Sequence, residues 1–314
     1  MEGRIIKVLG GIYTVMDIKT KAFYTASARG KLRNVVVDKS SSFNKQLTHK
    51  TKLETKAIKL SPKVGDYVTY ELEGDKYVID DVKPRINDLD RPLIANVDQV
   101  LLIFAAKEPE FQLNLLDQFL VLMEKANVHA KIIITKIDLL TKDELLDLKD
   151  KMRYYQEIGY DVYMVNSMTK VGFKEVEKLF TDKISVLSGQ TGAGKSTFIN
   201  ALIPGFNLQT QEISQALGRG KHTTRCTELY QYNGGFIGDT PGFSKLDFSL
   251  ILKEEIKDYF IEFKKCDCKF RDCLHDKELG CQVKESVNNG LILKSRYENY
   301  LKFLTDIRQE IKKY

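Results

Sequence analysis

Short apolar stretches separated by turn residues fill the first 85 residues of the chain. These stretches are rich in β-branched and aromatic residues and lie at 5–17, 22–26, 34–37, 67–72 and 77–82. Strands this short and this numerous predict a small β-barrel. A five-stranded, OB-like barrel fits the pattern, and an SH3-like barrel would give a similar one. Residues 38–56 are polar and basic with little apolar periodicity, which indicates a loop.

The pattern changes between about residues 91 and 248, where apolar runs alternate with helical periodicity. The apolar runs predict buried strands and lie at 100–106, 131–135, 161–165 and 184–187. The helical patterns fall between these runs, at 113–125, 142–158 and 172–180. Buried strands that alternate with helices predict a parallel sheet covered on both faces.

Helical periodicity dominates again from residue 253 onward, apart from a cluster of cysteines. Residues 295–314 place apolar side chains at helical spacing, and we expect this face to pack on the protein. A chain of 314 residues is long enough for two or three compact units. We therefore expect an all-β barrel at 1–85, an α/β domain at 86–248 and an α-helical domain at 249–314.

The composition is that of an ordinary soluble protein, with 43% hydrophobic and 29% charged residues. The longest apolar run, at 100–106, is far shorter than the ~18 residues that a membrane-spanning helix needs. The N-terminus also lacks the charged and apolar pattern of a secretory signal. We therefore expect a cytoplasmic protein with no membrane partner.

Positive charge is concentrated near the N-terminus. The net charge of the chain is +6, and residues 1–85 contain seventeen bases and ten acids, a net +7. Between residues 19 and 63, twelve Lys or Arg occur with only two acids. A charge run is commonly no more than a solvated face. A basic barrel joined to a nearly neutral remainder also fits an electrostatic surface for nucleic acid.

A phosphate-binding loop follows the predicted strand at 184–187. Its residues are Gly189, Gln190, Thr191, Gly192, Ala193, Gly194, Lys195, Ser196 and Thr197. This GxxxxGKS pattern between a strand and a helix is the context of a P-loop, whose backbone N–H groups surround the phosphates of a nucleotide. We expect Lys195 to reach the β- and γ-phosphates and Ser196 to ligate Mg²⁺.

A base-reading motif, Thr135-Lys136-Ile137-Asp138, follows the predicted strand at 131–135. The Asp138 carboxylate can accept hydrogen bonds from guanine N1–H and N2–H₂, a pair of donors that adenine lacks. The stem of Lys136 can lie across the base. Asn166 and Ser167 follow the next strand, where a GTPase contacts guanine O6. Because a P-loop alone does not distinguish GTP from ATP, an ATP-dependent enzyme stays an alternative.

The third motif, Asp239-Thr240-Pro241-Gly242, follows a predicted strand at 235–238. Here an Asp can orient Mg²⁺ through a water, and the Gly242 N–H can sense the γ-phosphate. The segment at 218–225 precedes it and supplies two hydroxyls to Mg²⁺, as expected for a segment ordered by the γ-phosphate. Either Thr223 or Thr224 fits as the magnesium ligand, and we favour Thr223.

Phe243 follows the third motif, where many GTPases carry a glutamine that positions water. Because Phe cannot orient a nucleophilic water, we expect slow intrinsic hydrolysis, with the missing group supplied by a rearrangement or a partner. His222 is the nearest titratable candidate for catalysis. A loop histidine that only faces solvent fits at least as well.

Four cysteines and a histidine crowd together near the C-terminus, while Cys226 stands alone. In a cytosolic chain this argues for a metal rather than for disulfides. Three thiolates and an imidazole, from Cys268, Cys273, His275 and Cys281, make a closed tetrahedral set for one structural Zn²⁺. Cys266 competes with Cys268 as the first ligand, and we prefer Cys268 because its spacing to Cys273 is nearer the usual range.

The order of the motifs is reversed. In an ordinary GTPase the P-loop comes first, whereas here the base-reading motif precedes it by about fifty residues. With the basic stretch Ala28-Arg29-Gly30-Lys31-Leu32-Arg33 and the cysteine cluster, this order resembles the circularly permuted GTPases of the RsgA (YjeQ/YloQ) family. The resemblance covers essentially the whole chain.

The resemblance implies a fold with an OB-like barrel, a circularly permuted P-loop GTPase domain and a zinc-binding helical domain. It implies hydrolysis of GTP to GDP, stimulated by the 30S ribosomal subunit, late in the maturation of that subunit. The barrel and the zinc domain would grip 16S rRNA, with Arg29, Lys31 and Arg33 as RNA contacts. We further expect a monomer that uses Mg²⁺ with GTP.

One departure from the family concerns Thr135, where Asn is commoner. Since the Asn normally braces the loop and contacts the base, Thr is expected to lower guanine affinity, while Asp138 preserves guanine selectivity. A second function stays open beside the ribosome-dependent GTPase. In this alternative, the protein is a GTP-gated RNA-binding switch whose hydrolysis is incidental.

Overall fold

The computed structural model describes residues 1–33, 61–89, 93–203, 228–239, 248 and 251–311. The predicted strand at 34–37, the predicted loop at 38–56 and the segment at 218–225 lie outside these residues. The chain divides into two compact units. The first contains residues 1–99, 179–186 and 209–242, and the second contains residues 100–178, 187–208 and 243–314.

The first unit contains a closed five-stranded β-barrel. Its strands are β1 (Glu2–Leu9), β2 (Ile12–Asp17), β3 (Phe23–Ala28), β4 (Tyr67–Glu73) and β5 (Lys76–Val82). The strands pair in the order β1-β2-β3-β5-β4, and β4 pairs back onto β1. All of these pairings are antiparallel except β3 with β5, which is parallel. The predicted N-terminal barrel is therefore confirmed.

A hydrogen-bonded carboxylate supports one end of the barrel. Asp17 accepts hydrogen bonds from the Thr20 N–H at 2.8 Å and from the buried Tyr70 hydroxyl at 2.7 Å. These bonds lower the pKa of Asp17 to about 2 because they favour its charged form. The side chains of Ile5, Val15 and Val68 are fully buried and fill the interior.

Residues 83–99 are folded into the same unit as the barrel. They include a small hairpin of β6 (Asp88–Leu89) and β7 (Ile94–Ala95). Arg85 joins this segment to the barrel through an ion pair with the fully buried Asp66 at 2.7 Å. Gly65 allows the close approach, since its φ is +88° and an added Cβ would lie 2.0 Å from the Ala95 carbonyl oxygen.

A second hairpin of this unit consists of β12 (Glu228–Tyr232) and β13 (Gly235–Asp239), which pair antiparallel. β13 also runs parallel to the first residues of β11 (Ile184–Gly189), with Ile184 opposite Phe236. On its other side β12 meets barrel strand β1, with Lys7 opposite Glu228. The β-structure of the barrel thus continues into the strands that lead to the third motif.

The second unit contains most of the strands and helices of the α/β pattern, while residues 184–186 of the strand predicted at 184–187 belong to the first unit. Strand β9 (His129–Thr135) lies between β8 (Gln99–Ala105) and β10 (Asp161–Met164). β9 and β10 are parallel, as predicted, and every residue of β8 is buried. The helices of this region are α1 (Leu113–Ala126), α2 (Lys142–Ile158), α3 (Phe173–Glu177) and α4 (Lys195–Leu202). A short 3-10 turn, Lys178–Phe180, replaces the end of the helix predicted at 172–180.

The C-terminal part of this unit begins with two 3-10 turns, Ile256–Tyr259 and Ile261–Lys265, and continues with α5 (Gln282–Asn288) and α6 (Lys294–Ile311). Tyr300, Leu304 and Ile307 of α6 are buried, which confirms that the apolar face of the last helix packs on the protein. No helix among the described residues is sufficiently long and apolar to span a membrane.

A buried ion-pair network connects α6 to α1 in the second unit. The fully buried Arg296 donates to Asp117 at 2.6 Å and to Glu262 at 2.5 Å. Asp117 also accepts from Tyr155 and Asn299, each at 2.7 Å. Each charge is therefore paired and hydrogen-bonded, as a buried charge requires.

Candidate nucleotide site and metal cluster

The P-loop connects β11 to α4 and packs closely on β8. Gly189 has a φ of +117°, and an added Cβ would lie 2.2 Å from the carbonyl oxygen of Ile103. The same carbonyl accepts a hydrogen bond from the Gln190 N–H at 3.0 Å. Only glycine satisfies both the backbone angle and this approach. The loop is thus held against a fully buried strand.

The Lys195 ammonium lies within the loop. Its Nζ donates to the carbonyl oxygens of Gln190 at 2.7 Å and Gly189 at 3.3 Å. Burial lowers the pKa of Lys195 because it disfavours the charged form. Phosphate oxygens beside this group would oppose that effect, since nearby negative charge favours the ammonium.

Gln190 uses its side chain to brace the loop. Its Oε1 accepts from the Ala105 N–H at 3.3 Å, and its Nε2 donates to the Glu110 carbonyl oxygen at 2.7 Å. The backbone N–H of Gln190 is also occupied, by Ile103. Gln190 therefore ties the P-loop to the end of β8 and to the segment at 107–112, while its contact with GTP stays a prediction.

Two side chains of the base-reading motif hold the P-loop. The hydroxyl of the buried Thr135 lies 2.6 Å from the Ala193 carbonyl oxygen and 3.2 Å from that of Phe104. The Lys136 Nζ donates to the Gly192 carbonyl oxygen at 3.1 Å and also to that of Glu108. The structure thus brings the two motifs into direct contact, and the Thr135 hydroxyl itself braces the loop.

Asp138 lies in the 3-10 turn Ile137–Leu139 that follows this brace. Its side chain is exposed, and no described residue hydrogen-bonds to its carboxylate. The carboxylate therefore keeps its lone pairs available for donors on a ligand.

Asn166 shapes the loop after β10. Its Oδ1 accepts from the Met168 N–H at 2.8 Å and from the Thr169 N–H at 3.1 Å, and the residue is buried. Ser167 beside it is half-buried. The side-chain oxygen of Asn166 is thus engaged within its own loop, in the manner of an Asx turn.

Part of the predicted site lies outside the described residues. This part comprises His222, Thr223, Thr224, Thr240, Pro241, Gly242 and Phe243. Asp239 is the last residue of β13, where its backbone pairs with Glu228, and its side chain is likewise outside the description.

The metal-ligating side chains predicted near the C-terminus converge. The ligand atoms of Cys268, Cys273, His275 and Cys281 all lie within 4.8 Å of one another. Cys268 Sγ and Cys281 Sγ are 3.9 Å apart, and His275 Nδ1 lies 3.5 Å and 3.4 Å from them. In a tetrahedral site with Zn–S bonds of about 2.3 Å, neighbouring ligand atoms are roughly 3.5–3.8 Å apart. The cluster has the donors and the spacing of a closed metal site.

The alternative first ligand, Cys266, lies apart from this cluster. Its Sγ is 3.6 Å from the Ser286 hydroxyl, at the side of α5. The structure therefore groups Cys268, and not Cys266, with the other three side chains.

Burial sets the protonation of the cluster. It raises the pKa of Cys273 to about 12 and lowers that of His275 to about 4. The imidazole is therefore neutral at pH 7 and has a lone pair, the form that ligates metals. A dication would act against the burial effect on the thiols, because it favours thiolates.

Hydrogen bonds between side chains and the backbone hold the loop that carries these ligands. The Glu278 carboxylate accepts from the N–H groups of Leu274 and Asp276, both at 2.9 Å. The Tyr297 hydroxyl of α6 donates to the His275 carbonyl oxygen at 2.6 Å. The Lys257 Nζ donates to the Cys273 carbonyl oxygen at 3.0 Å. The last helix thus supports the cluster directly.

The predicted RNA contact at Arg29 is engaged within the barrel. Its guanidinium forms ion pairs with Glu71, Glu73 and Asp80 of β4 and β5. These carboxylates neutralise the charge of Arg29 locally, and the ion pairs join the residue after β3 to β4 and β5. The side chains of Lys31 and Arg33, in the 3-10 turn Gly30–Arg33, lie outside the described residues.

Comparison with known proteins places these features in one family. A family model described as RsgA GTPase matches residues 82–249. The small ribosomal subunit biogenesis GTPase RsgA of Onion yellows phytoplasma is 42% identical over 98% of both chains. The protein of that name from Bacillus subtilis is 41% identical over 100% of this chain and 99% of its own.

Two solved structures are similar over nearly the whole chain. YjeQ from Thermotoga maritima has a TM-score of 0.81 and 34% identity, with 98% of each chain covered. YloQ, described as a circularly permuted GTPase, has a TM-score of 0.78 and 36% identity, with 98% of this chain and 95% of its own covered.

Proposed function

The chain belongs to the RsgA family of circularly permuted GTPases, and we propose that it hydrolyses GTP to GDP and phosphate on the small (30S) ribosomal subunit, late in the maturation of that subunit. Two relatives bear the name of a small ribosomal subunit biogenesis GTPase, which supports this partner. The protein acts as a cytoplasmic monomer with three parts, at 1–85, 86–248 and 249–314.

One observation carries the proposal. Thr135 and Lys136 of the base-reading motif contact the Ala193 and Gly192 carbonyl oxygens of a P-loop that follows them in sequence. The reversed motif order therefore produces one connected site, in which phosphate-binding and base-reading groups are held by direct hydrogen bonds.

In this site the nucleotide phosphates lie against the N-terminus of α4 and against the backbone N–H groups of the loop, apart from that of Gln190, which donates to the Ile103 carbonyl oxygen. Lys195 moves its hydrogen bonds from the loop carbonyls to the β- and γ-phosphates, and Thr197 adds a hydroxyl nearby. Mg²⁺ would neutralise phosphate charge here. The residues that would hold it are Ser196, Thr223 and, through a water, Asp239.

Asp138 supplies the selectivity for guanine. Its exposed carboxylate accepts from guanine N1–H and N2–H₂, with Lys136 and Ile137 beside the base. Adenine lacks this pair of donors, so that its binding would leave the carboxylate unsatisfied. Asn166 and Ser167 shape the loop that contacts guanine O6.

The hydrolytic step depends on groups outside the P-loop. Gly242 contacts the γ-phosphate, and Phe243 leaves the attacking water without a positioning side chain. Binding to the 30S subunit then supplies the missing orientation, with His222 as the candidate residue of this chain.

The remaining parts of the protein hold RNA and metal. The Cys268, Cys273, His275 and Cys281 cluster binds one structural Zn²⁺, since all four positions of a tetrahedral site are filled by protein. The OB-like barrel and the zinc domain contact 16S rRNA. Arg29 orders the barrel through its three acids, while Lys31 and Arg33 contact phosphates.

A GTP-gated RNA-binding switch is the second candidate, and Phe243 favours it. A protein that lacks a water-positioning residue can bind and release RNA by nucleotide state alone, with incidental hydrolysis. The two functions differ in whether the ribosomal subunit raises the turnover number.

The test of the proposed function combines binding with competition. The protein should sediment with 30S subunits in the presence of a non-hydrolysable GTP analogue and less so with GDP, and GTP should displace a fluorescent guanine nucleotide far better than ATP. Equal displacement by ATP would refute the base assignment. Failure to sediment with 30S subunits in any nucleotide state would refute the partner.

A further inference from the structure

The β12–β13 hairpin lies between two motif segments of the GTPase. It begins at Glu228, four residues after Thr224, and it ends at Asp239, the first residue of the third motif. Its backbone therefore sets where the third motif leaves the sheet.

The barrel contacts the start of this hairpin. Lys7 of β1 is the backbone partner of Glu228, and the Lys7 Nζ lies 2.7 Å from Glu228 Oε2. A second contact joins Gln231 of β12 to Met16 of β2, with 3.9 Å between Nε2 and Sδ. Both contacts lie within the first unit.

On its other side, the backbone of Glu228 pairs with the first residue of the third motif. In the antiparallel pairing of β12 with β13, the backbone partner of Glu228 is Asp239. Lys7, Glu228 and Asp239 thus occupy one row across three neighbouring strands. Adjacent strands are about 4.8 Å apart, so that the row places the barrel backbone only about 10 Å from the backbone of Asp239.

We propose that Lys7 and Glu228 are positioning residues for GTP hydrolysis, which tie β12 to the barrel strand β1 and so fix the strand end that carries Asp239. This inference rests on the proposed function, in which Asp239 orients magnesium through a water. The barrel thereby influences the magnesium concentration that GTP hydrolysis requires, in addition to any contact it makes with RNA.

The ion pair is too exposed to serve chiefly as a stabilising contact. The Lys7 and Glu228 side chains are 36% and 30% exposed, and pairs of this kind add little to folding stability. Its substitution should therefore leave the fold intact, while a shift of the strand end alters the geometry of the bound metal.

The experiment measures GTP turnover by the full chain as a function of Mg²⁺ concentration. In Lys7→Glu and in Glu228→Lys, half-maximal turnover should require about threefold to fivefold more Mg²⁺. GTP affinity measured in EDTA should stay within about twofold, because the P-loop residues are unchanged. The Lys7→Glu/Glu228→Lys double variant restores opposite charges at the two positions and should return near the wild-type value. Lys7→Gln removes the charge without reversing it, so its magnesium requirement should lie between those of the wild type and Lys7→Glu.

The two single variants also separate positioning from a direct effect of charge on the metal. If the side-chain charges acted on Mg²⁺ directly, Lys7→Glu would strengthen magnesium binding and Glu228→Lys would weaken it. If the ion pair acts by positioning Asp239, both variants weaken magnesium binding. Lys83→Glu is the matched control. It removes a barrel lysine that is 40% exposed and paired with Glu2 at 2.5 Å, and it should leave the magnesium dependence unchanged.

Unchanged magnesium dependence in both single variants would overturn the inference. Shifts of opposite sign, an equal shift in Lys83→Glu, or a double variant no better than the single ones would also overturn it. A wild-type protein without GTP turnover would instead refute the proposed function, and the inference with it.

Discussion

The buried Arg296 supports a quantitative prediction about folding. Arg296→Met keeps a long apolar side chain in α6 but removes the guanidinium that pairs with Asp117 at 2.6 Å and Glu262 at 2.5 Å. The Asp117 side chain is fully buried and that of Glu262 is 4% exposed, so that neither carboxylate can be rehydrated without opening the structure. The substitution therefore leaves these buried carboxylates without their cationic partner in the interior of the second unit.

The expected magnitude follows from this burial. Removing one partner of a buried ion pair lowers the free energy of unfolding by about 3–5 kcal/mol, a large share of the 5–15 kcal/mol of a typical protein. The ring of Phe260, whose centroid lies 4.8 Å from the guanidinium carbon, loses its cation–π contact as well. Arg153→Met is the matched control. Its pair with Asp150 is mostly exposed, at 65% and 68%, and it should change the free energy by less than about 1 kcal/mol.

The assay is urea unfolding followed by circular dichroism, at pH 8 and at pH 5.5. Burial raises the pKa of Asp117, and Arg296 acts against this rise. In Arg296→Met the pKa of Asp117 in the folded protein rises further above its unfolded value. The folded variant then binds a proton more readily as the pH falls, so that its loss of stability should be smaller at pH 5.5 than at pH 8.

A loss of unfolding free energy below about 1 kcal/mol for Arg296→Met would show that the buried carboxylates do not depend on the guanidinium. A loss of stability that is larger at pH 5.5 than at pH 8 would contradict the expected rise in the pKa of Asp117. Adding Asp117→Asn to Arg296→Met should recover part of the stability, since it removes one of the stranded charges.

Other predictions concern the nucleotide and metal sites. Asp138→Asn should weaken GTP binding by at least about tenfold and favour xanthosine triphosphate, measured by displacement of a fluorescent nucleotide; unchanged guanine preference would contradict the role of the carboxylate. Cys281→Ser should abolish binding of one zinc per chain, measured by metal analysis of the purified protein, while Cys266→Ser should retain it; equal zinc contents in the two variants would disprove the ligand set. Gly189→Ala should lower GTP turnover roughly 10²-fold because its Cβ would meet the Ile103 carbonyl oxygen at 2.2 Å, and near-normal turnover would show that the loop can shift.

Local patterns predicted the parts of the fold that depend on local physics. The short strands of residues 1–85 close into a barrel, and the strand-to-helix step at Gly189–Gly194 forms a P-loop, because turn glycines and apolar periodicity act over a few residues. The three thiols and the imidazole could be grouped from spacing alone, since a closed metal site restricts the separation of its ligands.

The contacts missed from the sequence join residues far apart in the chain. Arg296 lies in an amphipathic helix, where an arginine is ordinarily solvated, and its partner Asp117 is 179 residues away. The sequence pattern does not predict strand β12, because its alternating residues, Glu228–Tyr232, give a weak signal without their partner β1. The bracing role of Gln190 is likewise not visible in the sequence, because its side chain donates to the Glu110 carbonyl oxygen, 80 residues away.

Thr135 braces the P-loop although it stands where Asn is commoner in the family. From the sequence alone, the absence of Asn predicts a weaker brace for the loop. The Thr135 hydroxyl instead lies 2.6 Å from the Ala193 carbonyl oxygen, which preserves the connection between the base-reading motif and the P-loop. Any loss of guanine affinity would then come from the missing contact with the base itself.

GTP turnover with purified ribosomal subunits distinguishes the ribosome-dependent GTPase from the GTP-gated switch. Initial rates should be measured with the protein alone, with 30S subunits and with 50S subunits at equal concentration. We expect slow turnover by the protein alone and an increase of at least about tenfold with 30S subunits, because a partner must supply the missing orientation of water. We expect no comparable increase with 50S subunits. Equal turnover numbers with and without 30S subunits would contradict stimulation by the small subunit.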